Sequence, residues 1–333
     1  MRVDLSSLLQ EIDTPVSEQG SDLRYIVKSI PGFDRHYFGR NSAGAPSLLL
    51  SANDRSHKSP IRLAAVEVRF SIPCNIAIVG DKTTSETLTA ISCTASDRTL
   101  QGYFVHVCET LLHIVGAYPS LAQIADAVQR LVDLFQKLSG PPRRTIVGLF
   151  GELFVINSAK SPAVAVRAWR STTDDRFDFS IADARLEVKA SSTRQRAHDF
   201  SFEQCHPPTD SVGVLVSLFA EASGGGLSML DLVERIERQL GGDADLQLKL
   251  QETIAEALGR TASAAFSMRF DEDVARSSLQ IYELGSIPAI RGRLPSELSQ
   301  VRFRSDLSRV VPASRRNLVN ESTHLDDLLP PRR

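Results

Sequence analysis

The sequence lacks several features that mark large classes of proteins. It has no run of about 18 apolar residues that would cross a bilayer, and its first residues lack the basic-then-apolar layout of a secretory signal. Its four cysteines lie far apart without a C-x-x-C pair, which argues against a cysteine zinc site or a disulfide framework. It contains no P-loop or dinucleotide fingerprint. We therefore expect a cytoplasmic protein without a membrane partner and without ATP- or NAD-dependent chemistry.

The sequence also lacks a basic excess. Lys and Arg total 38 against 40 Asp and Glu, for a formal net charge of -2. A nucleic-acid-binding protein of this net charge must concentrate its positive charge locally. Apolar residues make up 42% and charged residues 23%, which is the composition of a folded soluble protein.

The length of 333 residues is enough for two domains. Residues 1–118 alternate apolar and polar positions in short stretches, which predicts a small β-rich N-terminal domain. Ser120 is placed to cap a helix that ends at Gly140-Pro141-Pro142. We expect a second domain over 119–311. A charged, proline-containing tail over 312–333 is predicted to be poorly ordered.

The pattern of the second domain predicts a helix followed by three strands and further helices. The helix covers 145–157, and the strands cover 177–181, 185–190 and 211–219. The last strand is almost continuously apolar, which predicts a central position in its sheet.

A hairpin in this domain carries the residues of greatest chemical interest. Asp178 lies on its first strand, and Glu187 and Lys189 lie two residues apart on the second. Side chains alternate between the faces of a strand, so Glu187 and Lys189 share one face. A turn of two or four residues about Ala182 and Asp183 would bring Asp178 opposite Glu187 on that face.

Two carboxylates beside an ammonium group suit the hydrolysis of phosphodiesters. Paired acids hold Mg²⁺, which polarises the phosphate and lowers the pKa of a bound water. A lysine positions that water and offsets the developing negative charge. The alternative is an ordinary surface hairpin, because D-x8-E-x-K is a short pattern that arises by chance in many sequences.

Glu152 is the only charged residue in the predicted helix. A carboxylate on an otherwise apolar helix requires a partner or a metal. It either joins the metal site or lies at the solvent edge or beside an arginine such as Arg167 or Arg170.

The segment after Lys189 supplies further polar groups. Ser191, Arg194, Arg196 and His198 offer donors to phosphate oxygens, and Gln204 lies on a helix that Ser201 is placed to cap. Each of these residues also has a plain interpretation as a solvated loop or helix-surface residue, and His198 as a helix cap or pocket filler.

The order of these residues resembles a bacterial family of PD-(D/E)XK motif proteins found beside restriction and phage-defence genes. The resemblance rests on Gly151-Glu152-Leu153, Trp169, Asp178-Phe179, Glu187-Val188-Lys189, His198 and Gln204. It implies an α/β (α+β) fold with a restriction-endonuclease-like core, in which a mixed central sheet is flanked by helices. In this family the first helix donates an acid, which here is Glu152. The sequence departs from the written motif in having Phe177 where a proline would precede Asp178.

The resemblance and the residues together predict a DNA endonuclease that acts in restriction or phage defence. The expected cofactor is Mg²⁺ or Mn²⁺. Asp178, Glu187 and Lys189 are the expected catalytic residues, and Glu152, Asp178 and Glu187 are the expected metal ligands. The expected partners are DNA, separately encoded helicase, ATPase or methyltransferase subunits, and a second copy of the chain. The alternatives are a nucleic-acid-binding or assembly subunit without cleavage of its own, and a nuclease that acts on RNA.

Overall fold

The structure is a computed structural model that describes residues 3–12, 24–54, 58–80, 83–170, 176–292 and 294–331. Its helices are α1 (Leu5–Gln10), α2 (Arg98–Val115), α3 (Leu121–Ser139), α4 (Ile146–Ser158), α5 (Pro162–Ala168), α6 (Met229–Leu240), α7 (Ala244–Leu258), α8 (Ala262–Ser267), α9 (Glu272–Ser278), α10 (Arg315–Glu321) and α11 (His324–Leu328). Its strands are β1 (Arg24–Ile30), β2 (Phe33–Asn41), β3 (Pro46–Leu50), β4 (Ile61–Arg62), β5 (Val66–Ile78), β6 (Thr83–Cys93), β7 (Phe179–Ile181), β8 (Ala184–Ser191), β9 (Ala197–Ser201), β10 (Val212–Phe219), β11 (Ala222–Ser228), β12 (Arg269–Phe270), β13 (Gln280–Glu283) and β14 (Arg302–Asp306). Among the described helices, none is both long enough and apolar enough to span a membrane.

The chain divides into two compact units. The first comprises Met1–Pro141 and Gly242–Ser263, and the second comprises Pro142–Gly241 and Ala264–Arg333. The first unit therefore includes α3 and α7 as well as the N-terminal strands, and the predicted boundary after residue 118 falls inside it. The first unit is thus discontinuous in sequence.

The first unit is built on a closed sheet. Its strand order is β1-β2-β3-β6-β5-β4, and β1 also pairs in parallel with β5, so that five strands close on themselves. Side chains including Tyr25, Val27 and Ile76 fill a core within this unit. A Cβ at Gly39 would lie 2.0 Å from the Ile26 carbonyl oxygen, so only glycine permits the close approach of β1 and β2 there. The β-rich character expected from the alternating pattern is present in the described strands.

Helices α2, α3 and α7 pack against one another in the first unit. Ser120 caps α3 in a capping box with Gln123, as its position in the sequence predicts. The Tyr103 hydroxyl donates to the Gln251 carbonyl oxygen at 3.1 Å, which ties α2 to α7 within their buried contact.

The second unit is organised around a four-stranded mixed sheet. Its order is β13-β10-β8-β7, in which β8 and β10 are parallel and the two outer pairs are antiparallel. The apolar strand β10 is central, as its composition predicts. Helix α4 packs on β8 and α6 packs on α4. The arrangement is the mixed sheet with flanking helices that was expected, and it agrees with a PD-(D/E)XK-like α+β fold.

Helix α4 lies unusually close to strand β8. A Cβ at Gly151 would lie 2.7 Å from the Ala190 Cβ and 3.4 Å from Val188 Cγ1. The Phe150 ring stacks on Phe270 with centroids 4.1 Å apart. Glycine at position 151 therefore lets the helix approach the strand that carries Glu187 and Lys189.

The expectation of a poorly ordered tail is wrong for residues 312–331. Helices α10 and α11 bury Leu318, Leu325 and Leu328. The backbone N–H of Lys160 donates to the Leu329 carbonyl oxygen at 3.2 Å. Burial of the leucines compensates the cost of ordering this charged segment.

Candidate active site

The β7–β8 hairpin aligns the acids of the motif. Its turn consists of Ala182 and Asp183, and Ala182 adopts a left-handed φ of +46°. The register pairs Phe179 with Leu186, so Asp178, which directly precedes β7, is placed opposite Glu187 of β8. The Val188 N–H donates to Asp178 Oδ2 at 2.9 Å and fixes the aspartate against β8. The two-residue turn is thus the even-numbered turn that the shared face requires.

The three carboxylates of the motif are buried. Glu152 is 3% exposed, Asp178 is 3% exposed and Glu187 is 1% exposed. Burial of an ionised carboxylate is costly unless a cation or several donors compensate it. The partners of each acid therefore determine what the site is able to bind.

Glu187 and Lys189 form a hydrogen-bonded pair. Lys189 Nζ lies 2.7 Å from Glu187 Oε1 and 5.1 Å from the centre of the Phe200 ring. Gln204 Nε2 donates to the same Glu187 oxygen at 2.6 Å, and Gln204 Oε1 lies 3.3 Å from Lys189 Nζ. The Ser201 N–H donates to that amide oxygen at 3.1 Å. A single amide therefore orients both motif residues.

The second oxygen of Glu187 is different. Glu187 Oε2 is buried and has no hydrogen-bond partner among the described residues. Burial, followed by the nearby negative charge of Asp178, raises the pKa of Glu187 to about 7, and the Lys189 ammonium opposes this rise. A buried acceptor without a donor is the atom that a bound cation would satisfy.

Two arginines compensate Asp178 on its other oxygen. Arg170 Nη2 lies 3.3 Å from Asp178 Oδ1. Arg144 Nη2 lies 3.6 Å from the same atom, and its side chain is 39% exposed. Arg144 therefore connects a buried acid to the protein surface.

Glu152 has protein donors on both of its carboxylate oxygens. Its Oε2 accepts from Trp169 Nε1 at 2.7 Å, and Arg170 Nη2 lies 2.6 Å from its Oε1. Burial, followed by the charge of Asp178, raises the pKa of Glu152, and the Arg170 guanidinium opposes this rise. An internal arginine, which was the alternative named from the sequence, thus compensates Glu152 in this structure, and its role as a third metal ligand stays a prediction.

The polar residues after Lys189 contact other groups of the protein. Arg194 pairs with Glu221, with Nε 2.7 Å from the Oε1 atom, and Ser191 Oγ lies 3.1 Å from Thr193 Oγ1. Arg196 lies over the Phe219 ring, with its guanidinium carbon 4.6 Å from the ring centre. These groups therefore have protein contacts in this structure, and their predicted contacts with phosphate stay a prediction.

His198 is part of the packed interior. Its Nε2 lies 2.8 Å from Ser217 Oγ, and Arg196 Nη1 donates to the same oxygen at 2.8 Å. Burial, followed by the charges of Lys189 and Arg196, lowers the pKa of His198 to about 4. His198 is thus a buried, neutral side chain that lies within hydrogen-bond distance of Ser217.

The site has two arginines that the motif did not predict as functional. Arg144 precedes the N-cap of α4, and only the folded structure shows that its guanidinium faces Asp178. Arg170 was named only as a possible partner of Glu152. The cations that face the buried acids are thus Arg144, Arg170 and Lys189, whereas Arg194 pairs with Glu221. The sequence did carry one sign of these ion pairs: Arg144 and Arg170 lie on either side of the apolar helix that contains Glu152.

The residues present fit a divalent cation at Asp178 and Glu187. Both offer hard carboxylate oxygens on one face of a hairpin, and Glu187 Oε2 is without a donor. In the described part of the chain, however, no group of three or more His, Cys, Asp or Glu side chains is arranged to hold a metal ion. Two carboxylates are therefore the candidate protein ligands, and other oxygens must complete the coordination.

The mixed sheet and its paired acids are those of a nuclease-like protein with a PD-(D/E)XK core. The chain belongs to the family described as "Putative PD-(D/E)XK family member, (DUF4420)", whose model matches residues 8–308. Nucleases of the PD-(D/E)XK class generally use divalent metals. Comparison with curated proteins and with solved structures gives no significant match.

Proposed function

We propose that this protein is a divalent-metal-dependent endonuclease that hydrolyses phosphodiester bonds of DNA in a restriction or phage-defence system. The observation that carries the proposal is the shared face of Asp178, Glu187 and Lys189, together with the unpartnered Oε2 of Glu187. Family membership supports the nuclease class. Helicase, ATPase or methyltransferase partners belong to the same proposal.

Asp178 and Glu187 would hold Mg²⁺ or Mn²⁺. The ion would supply Lewis-acid polarisation of the phosphate and favour ionisation of the attacking water. The Val188 N–H and the Gln204 amide keep the two carboxylates oriented before the substrate binds. This preorganisation lowers the cost of assembling the site.

Lys189 provides the positive charge nearest to Glu187. Its ammonium would stabilise negative charge that develops on the phosphate during attack. The contacts with Glu187, Gln204 and the Phe200 ring limit its motion. The exposed face of Arg144 would bind a neighbouring phosphate of the backbone.

The test is cleavage of supercoiled and linear DNA by the full chain in Mg²⁺ or Mn²⁺. Lys189→Met is expected to lower the cleavage rate by about 10²–10³-fold, the usual effect of removing one transition-state donor. Glu187→Gln is expected to abolish detectable cleavage. Lys137→Met is the matched control, because Lys137 also faces a glutamate, with Nζ 3.9 Å from Glu256 Oε2.

Equal cleavage by the wild type and both site variants would overturn the proposal. A parallel assay with single-stranded and duplex RNA separates the two nuclease alternatives. Metal-independent DNA binding with no cleavage of either nucleic acid would favour the binding-subunit alternative.

A further inference from the structure

The Arg170 guanidinium lies between two buried acids. Its Nη2 lies 2.6 Å and 2.5 Å from the two carboxylate oxygens of Glu152 and 3.3 Å from Asp178 Oδ1. Its Nε donates to Glu152 Oε2 at 3.1 Å. One cation of the protein therefore compensates two carboxylates at once.

The backbone of Arg170 adopts a strained conformation. Its φ of +44° is in the left-handed region, which a residue with a side chain rarely adopts. The Arg170 N–H donates to the Asp178 carbonyl oxygen at 3.0 Å, and the preceding residue, Trp169, bridges to Phe179. The position of Arg170 is thus fixed from the same hairpin that presents Asp178.

The two glutamates of the site consequently differ. Both oxygens of Glu152 have protein donors, namely the Trp169 indole and the Arg170 guanidinium. Glu187 has one oxygen held by Lys189 and Gln204, and its other oxygen has no partner among the described residues. An incoming cation gains a free ligand atom at Glu187 and meets a neutral backbone donor at Asp178 Oδ2, whereas at Glu152 it would compete with a guanidinium on both oxygens. The guanidinium contact of Asp178 is confined to its Oδ1 atom.

We propose that Arg170 is a built-in counter-ion that limits the site to one divalent cation, held by Asp178 and Glu187. Arg170 is a positioning residue, and Glu152 acts on the site through it instead of ligating metal. The inference rests on the proposed metal dependence. Repulsion between the guanidinium and a second divalent ion supplies the physical reason.

The test is the number of Mn²⁺ ions that the full chain binds in the absence of nucleic acid. Calorimetry and the electron paramagnetic resonance signal of Mn²⁺ both measure this number. The wild type is expected to bind one Mn²⁺. Glu152→Gln is expected to retain that single ion, because Glu152 is not a ligand. Glu187→Gln is expected to lose it.

A pair of variants at position 170 isolates the role of the charge. Arg170→Lys keeps a cation and is expected to bind one Mn²⁺, whereas Arg170→Met leaves Glu152 and Asp178 uncompensated and is expected to admit a second. The double variant Arg170→Met with Glu152→Gln is expected to return to one ion. Circular dichroism checks that each variant folds. If Arg170→Met does not fold, Glu152→Gln still tests the inference.

Two Mn²⁺ ions in the wild type, or loss of binding in Glu152→Gln, would overturn the inference and leave the proposed nuclease intact. One ion in both Arg170→Lys and Arg170→Met would show that the charge of Arg170 does not set the stoichiometry. No Mn²⁺ binding by the wild type at millimolar concentration would overturn this inference and the metal dependence together.

Discussion

At the scale of single residues, the site is a set of three acids matched by three cations. Arg170 compensates Glu152 and Asp178, Arg144 faces Asp178 from the surface, and Lys189 pairs with Glu187. Matched charges allow the acids to be buried before any metal binds. Among these six side chains, Glu187 Oε2 is the buried atom that has no hydrogen-bond partner in the described residues.

Glu187 is expected to make stability depend on pH. Burial raises its pKa to about 7 in the folded protein, above its value in the unfolded chain. The folded state then binds the extra proton, so the contribution is fully present below about pH 4.5 and is lost as pH rises through about 7. The free energy of unfolding should fall by up to about 3 kcal/mol across this window. Thermal melts of the wild type and Glu187→Gln check this, because the variant should lack that slope.

The same ionisation should control the effect of metal. Because a cation binds the ionised carboxylate, Mg²⁺ should raise the melting temperature more at pH 8 than at pH 6. Asp178→Asn should reduce the increase. An equal increase at both pH values would contradict the assignment of Glu187 as the titrating ligand.

At the scale of elements, helix α4 and strand β8 form the frame of the site. Strand β8 buries Leu186 and Val188 on one side and presents Glu187 and Lys189 on the other. Helix α4 approaches this strand at Gly151 and carries Glu152 at the next position. The packing of one glycine therefore determines how close Glu152 comes to the hairpin.

Gly151→Ala is expected to destabilise the protein although alanine favours helices. Its Cβ would meet Ala190 Cβ at 2.7 Å, and such overpacking costs about 1–3 kcal/mol, against a helix-propensity gain of about 1 kcal/mol. The matched control is Gly102→Ala in α2, where a Cβ meets nothing within 4 Å. Chemical denaturation should show lower stability for Gly151→Ala and unchanged or higher stability for Gly102→Ala. Equal effects at both positions would show that the α4–β8 contact is not limiting.

At the scale of the whole molecule, the net charge of -2 predicts weak binding of DNA by the isolated chain. Positive groups near the site are largely paired with acids, which limits the number of phosphate contacts and keeps the binding weak. The remaining contacts are electrostatic, so affinity should fall as salt rises. This agrees with the proposed partner subunits, which would supply further contacts with DNA.

Arg144→Gln should weaken DNA binding and lower the slope of log affinity against log salt by about one, as expected for a lost phosphate contact. Arg269→Gln is the matched control, since Arg269 is similarly exposed, at 47%, and its Nη1 lies 3.4 Å from Asp231 Oδ2. Fluorescence anisotropy in Ca²⁺, at several salt concentrations, measures both. Tight, salt-insensitive binding by the wild type, or equal losses in the two variants, would contradict a phosphate contact at Arg144.

The sequence by itself determined the helix that carries Glu152, the three strands that follow it, and the hairpin. Alternation of side chains and a two-residue turn are local properties, so the shared face of Asp178 and Glu187 follows from the strand period. The apolar run of β10 likewise predicted a central strand. These features depend on neighbours close along the chain.

Only the tertiary structure decided which charges meet. Arg144, Glu152, Arg170 and Asp178 come from separate elements, and nothing in their spacing tells whether Glu152 faces a metal or an arginine. The same holds for Arg194, Arg196 and His198, which bind protein partners brought close by β10 and the surrounding loops. The buried leucines of α10 and α11 also gain their stability from packing that a charged, proline-containing sequence does not reveal. The physical reason is that burial and ion pairing depend on distances in space, whereas periodicity records only distances along the chain.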